Sequence, residues 1–200
     1  MKKLAFFTIG LLLLGLGASA QISRGGKPFS FSYPLNDNLD AGKLVMPLID
    51  VAALQSRARQ VFEKGEMLPA GQIFPVSLSP ENSGVWTVLP NKDRVWRLAV
   101  QVPDAPATSL YYENFYIPEG AVLYVYNAEK THLIGSFGAH NNSESKLFAT
   151  EIIYTSDCVI EYYEPANVKQ KGSFTITGIA NVYNAPEPPA YIKLQNPKCC

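Results

Sequence analysis

Arg94-Val95-Trp96-Arg97-Leu98-Ala99-Val100-Gln101-Val102 alternates along its whole length. On an extended chain, Val95, Arg97, Ala99 and Gln101 fall on one side, and Trp96, Leu98, Val100 and Val102 on the other. The second side is wholly apolar, so the run reads as a half-buried β-strand. Pro103-Asp104-Ala105-Pro106 ends it. Pro90-Asn91-Lys92-Asp93 precedes it as a turn cluster, and Gly84 to Leu89 lies before that turn as another strand.

The same grammar continues downstream. Leu110–Ile117 and Ala121–Tyr126 are strand candidates separated by Pro118-Glu119-Gly120, and they read as a β-hairpin. His132–Phe137 is a short strand interrupted by Gly135, and Gly138–Ser143 is a loop. Lys146–Tyr154, Cys158–Glu164 and Gly172–Tyr183 supply three more strand segments. About eight to ten short strands at this spacing predict an all-β antiparallel sandwich, jelly-roll-like, over residues 70–183. Ala185-Pro186-Glu187-Pro188-Pro189-Ala190 then reads as a stiff polyproline-type spacer within a linker, 184–200.

Upstream, residues 21–69 are expected to form an extended arm with one short helix. Phe29-Ser30-Phe31-Ser32-Tyr33 alternates as an extended segment would. Asp50 is placed to cap a helix that carries Val51, Leu54, Ala58, Val61 and Phe62 at helical spacing, and Gly65 is its stop.

Residues 1–20 read as a secretory signal peptide. Met1-Lys2-Lys3 is cationic, Leu4–Leu16 is almost purely apolar, and Ala18-Ser19-Ala20 places cleavage between Ala20 and Gln21. This run of about 13 residues falls short of the roughly 20 that span a bilayer. An uncleaved anchor is the alternative. The expected location is secreted or periplasmic, in a bacterium.

Two of the 17 basic residues lie in the leader, which leaves 15 against 17 acidic ones, a net charge of −2. That balance argues against nucleic acid as a partner, and no second membrane-length apolar run argues for a membrane after leader removal. Of the 3 cysteines, Cys199 and Cys200 are adjacent at the end of the sequence, where pairing with each other is disfavoured. With Cys158 they suggest a piece of a longer chain whose cysteine partners lie downstream; free or intermolecular thiols are the alternative.

No catalytic constellation stands out. His132 falls in a strand candidate and His140 in a polar loop, and no Gly-x-Ser-x-Gly elbow accompanies them. Neither His-Glu-x-x-His nor Cys-x-x-Cys occurs, so no metal or cofactor is expected. Glu161 and Glu164, three residues apart on one strand, point to opposite faces and do not make a glycosidase pair. Glu113 and Glu119 flank a turn with no reason to meet. Tyr111, Tyr112, Tyr124, Tyr126, Tyr162 and Tyr163 are core residues or a platform for sugar; Tyr124 and Tyr126 share a face. Asn141-Asn142-Ser143 matches the N-glycosylation pattern by chance in a bacterial chain.

The run Val95-Trp96-Arg97-Leu98, with Ala107-Thr108-Ser109-Leu110 and Phe115-Tyr116-Ile117-Pro118-Glu119-Gly120-Ala121-Val122-Leu123-Tyr124-Val125-Tyr126, carries a family likeness. It continues through Ile134-Gly135-Ser136-Phe137, Phe148-Ala149-Thr150-Glu151, Val159–Pro165, Phe174-Thr175-Ile176 and Val182-Tyr183. Met46-Pro47-Leu48-Ile49-Asp50 and Leu54 belong to it as well. Together these resemble the N-terminal pro-region of secreted bacterial lysyl endopeptidase-like serine proteases, which have a trypsin fold. The likeness covers roughly 45–183.

It implies a non-catalytic module that assists folding or latency of a downstream protease domain in cis. Cys199 or Cys200 falls where the catalytic domain of such proteases opens with a disulfide-forming cysteine. No catalytic residue carries over. Release by the parent enzyme would fall at Lys198–Cys199, or at Lys193–Leu194, because enzymes of this family cut after lysine. The alternatives are a stand-alone secreted module that binds carbohydrate or a cell surface, and a protease remnant that inhibits in trans.

Overall fold

The computed structural model describes residues 25–35, 38–63, 65 and 67–189. The leader with its Ala20–Gln21 junction, and Lys193, Leu194, Lys198, Cys199 and Cys200, lie outside the described residues. The strands are β1 (Leu44–Val45), β2 (Gln72–Leu78), β3 (Val85–Val88), β4 (Arg94–Gln101), β5 (Thr108–Tyr116), β6 (Val122–Asn127), β7 (Leu133–Phe137), β8 (Phe148–Ala149), β9 (Asp157–Glu164) and β10 (Ser173–Asn181). One sheet runs β1-β4-β9-β6-β7, with β3 also on β4, and the other runs β2-β10-β5-β8. Every pairing is antiparallel except β1 with β4.

From β4 onward the chain passes between the sheets: β4 in the first, β5 in the second, β6 and β7 in the first, β8 in the second, β9 in the first, β10 in the second. That is jelly-roll winding, and the all-β sandwich the sequence predicts is the fold. Its interior is lined by Trp96, Leu98 and Val100 of β4, Leu123 and Val125 of β6, Ile160 and Tyr162 of β9, and Leu110, Tyr112, Phe115, Phe174, Ile176 and Ile179 of the facing sheet.

Two local expectations are corrected. β5 and β6 do not form a hairpin: they lie in different sheets, and Pro118-Glu119-Gly120 carries the chain across the sandwich. The turn itself is there, with Gly120 at φ +83 and the Ala121 N–H donating to the Pro118 carbonyl at 3.1 Å. Turn chemistry sets the bend, but pairing is decided by which apolar faces must meet. Those of β5 and β6 face each other through the core. Lys146–Tyr154 is not one strand either. Only Phe148–Ala149 pairs, with a bridge from Ile153 to Thr108. Beyond β8 the Thr150 side chain takes over, its Oγ1 accepting from the Leu110 N–H at 3.1 Å.

The helix α1 (Val51–Glu63) forms as the sequence predicts. Asp50 Oδ1 accepts from the Ala53 N–H at 2.9 Å, and Gly65, at φ +83, donates its N–H to the Phe62 carbonyl at 2.8 Å. Yet Ala58 is its one fully buried side chain among the described residues.

The expected extended arm is also corrected. Phe29–Phe31 is a 3-10 turn, and the arm is a strap across the outer face of the first sheet. At β7, the Gly25 N–H donates to the Gly135 carbonyl at 2.8 Å and the Ser136 N–H donates to the Gly25 carbonyl at 3.0 Å. Over β6, Phe31 meets Tyr126 edge-on at 4.8 Å. Ser30 reaches Glu161 of β9, and Leu44–Val45 pairs beside Val100–Gln101 of β4. The turn at Phe29–Phe31 has a cause: it points both the N–H and the hydroxyl of Ser30 at one carboxylate.

This strap explains a fourth difference. β4 is buried on both sides, not one: Val95 and Ala99 are 0% and 4% exposed, as hidden as Trp96 and Leu98. A second 3-10 turn of the arm, Leu39–Gly42, packs against β4.

Candidate functional site

The two buried glutamates of β9 are committed to the structure. Glu161 is 1% exposed on the strap side of β9. Its carboxylate accepts from the Ser30 N–H at 3.1 Å, the Ser30 hydroxyl at 2.5 Å and the Tyr126 hydroxyl at 2.8 Å. In the ladder it stands opposite Arg97, which is also buried. Burial, and then the charge of Glu161, push the Tyr126 hydroxyl well above its usual range.

Glu164 is 2% exposed on the other side of the strand. It accepts from Arg94 Nε at 2.8 Å, the Tyr162 hydroxyl at 2.8 Å and the Gly172 N–H at 2.8 Å, while Arg94 Nη2 lies 2.6 Å away. Arg94 stacks over Trp86 at 4.1 Å. The two glutamates therefore sit in separate, fully bonded networks on opposite faces of β9, as their spacing implies. Neither is offered to a substrate.

His132 is buried, and its Nδ1 accepts from the Tyr154 N–H at 3.2 Å. Burial lowers its pKa below the ordinary 6.5. The unfolded chain then binds a proton that the folded chain refuses, so this residue's effect on stability has a defined sign. Stability is full above about 6.5, falls as pH drops through the interval below it, and levels off beneath the folded-state pKa. Urea midpoints measured from pH 7.5 to 4.5 should show that fall, and His132→Asn should flatten it. An unchanged slope in the variant would show that another group is responsible.

His140 is exposed on the 3-10 turn Ala139–Asn141. Asn141 and Asn142 of the Asn-Asn-Ser run hold the backbone: Asn141 Oδ1 accepts from the Gly138 N–H at 2.9 Å, and Asn142 bonds both the N–H and the carbonyl of Ile117 at 2.8 Å. Cys158 is buried, and burial pushes its thiol up to about 12, so it is held as an inert thiol. Among the described residues, no group of three or more His, Cys, Asp or Glu side chains is gathered to hold a metal ion. Glu113 and Glu119 enter no shared cluster; Glu113 opens onto a trough on the outer face of the second sheet, and Glu119 sits on the crossing turn.

The tyrosines divide by cover. Tyr112 and Tyr162 are inside the sandwich, and Tyr124 and Tyr126 share a face beneath the strap. Tyr163 stacks on Phe29 at 6.0 Å and donates its hydroxyl to Asp93, a bond that, after burial, pushes its own pKa up to about 12. Tyr111 alone of the six is classed with the exposed large side chains.

A further exposed apolar surface lies at α1. A groove of about 290 Å³ is lined by Ile49, Asp50, Ala53, Leu54, Arg57 and Gln72. On or next to the helix in sequence, Leu48, Phe62, Met67 and Leu68 are exposed by 69%, 59%, 92% and 48%. The same corner holds the start of the Pro-rich segment. The Asn184 N–H donates to the Ala70 carbonyl at 3.0 Å, Asn184 Nδ2 donates to the Pro69 carbonyl at 2.8 Å, and Gln55 Nε2 of α1 donates to the Tyr183 carbonyl at 3.4 Å. The sequence marks the helix but not its poor burial. Ser30 carries no signal in the sequence either, because its partner is 131 positions away.

No family model matches the sequence. Among solved structures, the chain is similar to the isomalto-dextranase of Arthrobacter globiformis T6, complexed with panose, at 11% identity and a TM-score of 0.25. The match covers 56% of this chain and 23% of that one, so this chain spans about a quarter of its length.

Proposed function

We propose that this protein is an exported, non-catalytic β-sandwich that acts as the pro-region of a trypsin-fold, lysyl endopeptidase-type serine protease. It assists the folding or the latency of a catalytic domain attached in cis. One observation supports this reading above others: the apolar surface at α1 lies at the base of the Pro-rich segment, bonded to it through Asn184 and Gln55. A domain tethered there is held at high effective concentration beside Leu54, Phe62 and Met67. A trypsin-like domain folds through non-local β pairing, which is slow and leaves apolar surface exposed for longer than helical folds do. A rigid sandwich with an open apolar corner offers that surface a partner.

The test is refolding of a denatured lysyl endopeptidase-type catalytic domain, with and without this protein at equal concentration. The expected result is a several-fold higher yield of active protease, and loss of that gain with Leu54→Asp and Phe62→Asp. Equal yields with and without the protein would refute the assignment.

A further inference from the structure

The two outer faces of the sandwich are treated differently. The strap covers the first sheet, whereas the outer face of the second sheet is open at Ile73, Tyr111 and Leu147. Across that face, Gly178 of β10 pairs with Pro75 of β2 on one side and Tyr111 of β5 on the other, and Tyr111 pairs in turn with Ala149 of β8. Gly178 is the low point of this row. A Cβ there would stand 3.0 Å from Ile73 Cγ2 and 3.4 Å from Tyr111 Cδ2, so both side chains lean over it. Next to Tyr111 is a trough of about 340 Å³, lined by Tyr111, Glu113, Leu147, Phe148, Ala149 and Thr177. Ile73, Tyr111 and Leu147 are 49%, 38% and 58% exposed.

We propose that this trough binds a neutral saccharide, with Tyr111 as the stacking surface. The lining decides between ligand classes. Among the described residues it contains one carboxylate and no Lys or Arg, so phosphate and other anions are repelled. A wholly apolar ligand would strip water from Glu113 and return nothing to it. A pyranose matches both halves of the surface. Its C–H face lies on the Tyr111 ring and against Leu147, while its hydroxyls donate to the Glu113 carboxylate and exchange hydrogen bonds with the Thr177 hydroxyl. Hydrogen bonds to an ionised carboxylate are stronger than neutral ones, so Glu113 fixes the orientation that stacking leaves free. The floor is a β-sheet held on both edges of β5, which keeps Tyr111 in place before the ligand arrives. This site stands apart from the α1 corner and does not depend on the pro-region reading.

The test uses the chain from Gln21 onward in native affinity electrophoresis against four soluble glycans: dextran, xylan, a β-1,3-glucan and mannan. At least one should retard it. Tyr111→Ala should weaken that retardation roughly tenfold or more, and Glu113→Gln should weaken it less. Leu54→Asp should retain it. Both trough positions are exposed, so their variants should melt with the wild type, and circular dichroism checks this. Three outcomes overturn the proposal: no retardation by any of the four, retardation that survives Tyr111→Ala, or a Tyr111-dependent dimer on sizing without glycan binding, which would make the face a contact between copies.

Discussion

Trp96→Ala is expected to cost about 3–5 kcal/mol, as large aromatic truncations in packed cores do. The side chain is 0% exposed. Its ring meets Phe174 of the facing sheet edge-on at 5.5 Å, and its Nε1–H donates to the Ser83 carbonyl at 2.7 Å. Gly84 closes over the indole at φ +67, where a Cβ would come within 2.6 Å of Nε1. The substitution therefore opens a cavity between the sheets and also frees the turn that leads into β3. Urea unfolding gives the cost directly. Trp96→Phe separates the parts, because it keeps most of the packing and removes the bond to Ser83, a loss of about 1–3 kcal/mol. A loss under about 1 kcal/mol for the alanine variant would mean that Trp96 is not part of the core. Small domains hold about 5–15 kcal/mol in all, so the full expected loss leaves the protein close to unfolding at ordinary temperature.

The position of Trp96 was legible because strands declare themselves by a period of two, and β4 alternates without a break. The class of fold follows from many such runs. What was not legible is everything that depends on a distant partner. Pro118-Glu119-Gly120 has the chemistry of a turn in a hairpin and in a sheet-to-sheet crossing alike, so local sequence cannot choose between them. The alternation of β4 predicts one solvent face, but that face is covered by residues more than 50 positions upstream. Phe29-Ser30-Phe31 reads as extended because nothing nearby reveals that Ser30 must turn toward a carboxylate on β9. The same limit applies to candidate sites. Six tyrosines look alike in sequence, and only the packing singles out Tyr111 as open, with Glu113 beside it.

Glu161→Ala should be comparable in cost to the loss of Trp96, about 3–5 kcal/mol, although no apolar core is touched. Removing a buried charge from a network strands its partners. Here these are the N–H and hydroxyl of Ser30, the hydroxyl of Tyr126 and, across the ladder, Arg97, which loses the facing carboxylate. Ser30→Ala is the milder step. It deletes one hydrogen bond to a charged acceptor and should cost about 1.5–3 kcal/mol. The signature that sets these variants apart from ordinary core damage is where the loosening occurs. The strap is tied at Gly25 to β7, at Ser30 to β9, and near its end by the 2.6 Å ion pair of Lys43 with Asp157. With the middle tie weakened, the Phe31–Ser32 bond should become accessible while the sandwich stays folded. Chymotrypsin should then cleave Ser30→Ala after Phe31 well before the body is digested, at a urea concentration where the wild type resists. In a double-mutant cycle, Ser30→Ala and Glu161→Gln should be coupled by about 0.5–3 kcal/mol, because each removes the other's partner. Additive costs, or cleavage after Phe31 no faster than global unfolding, would show that the strap is held by its aromatic contacts, Phe31 on Tyr126 and Phe29 on Tyr163, and not by the carboxylate beneath it.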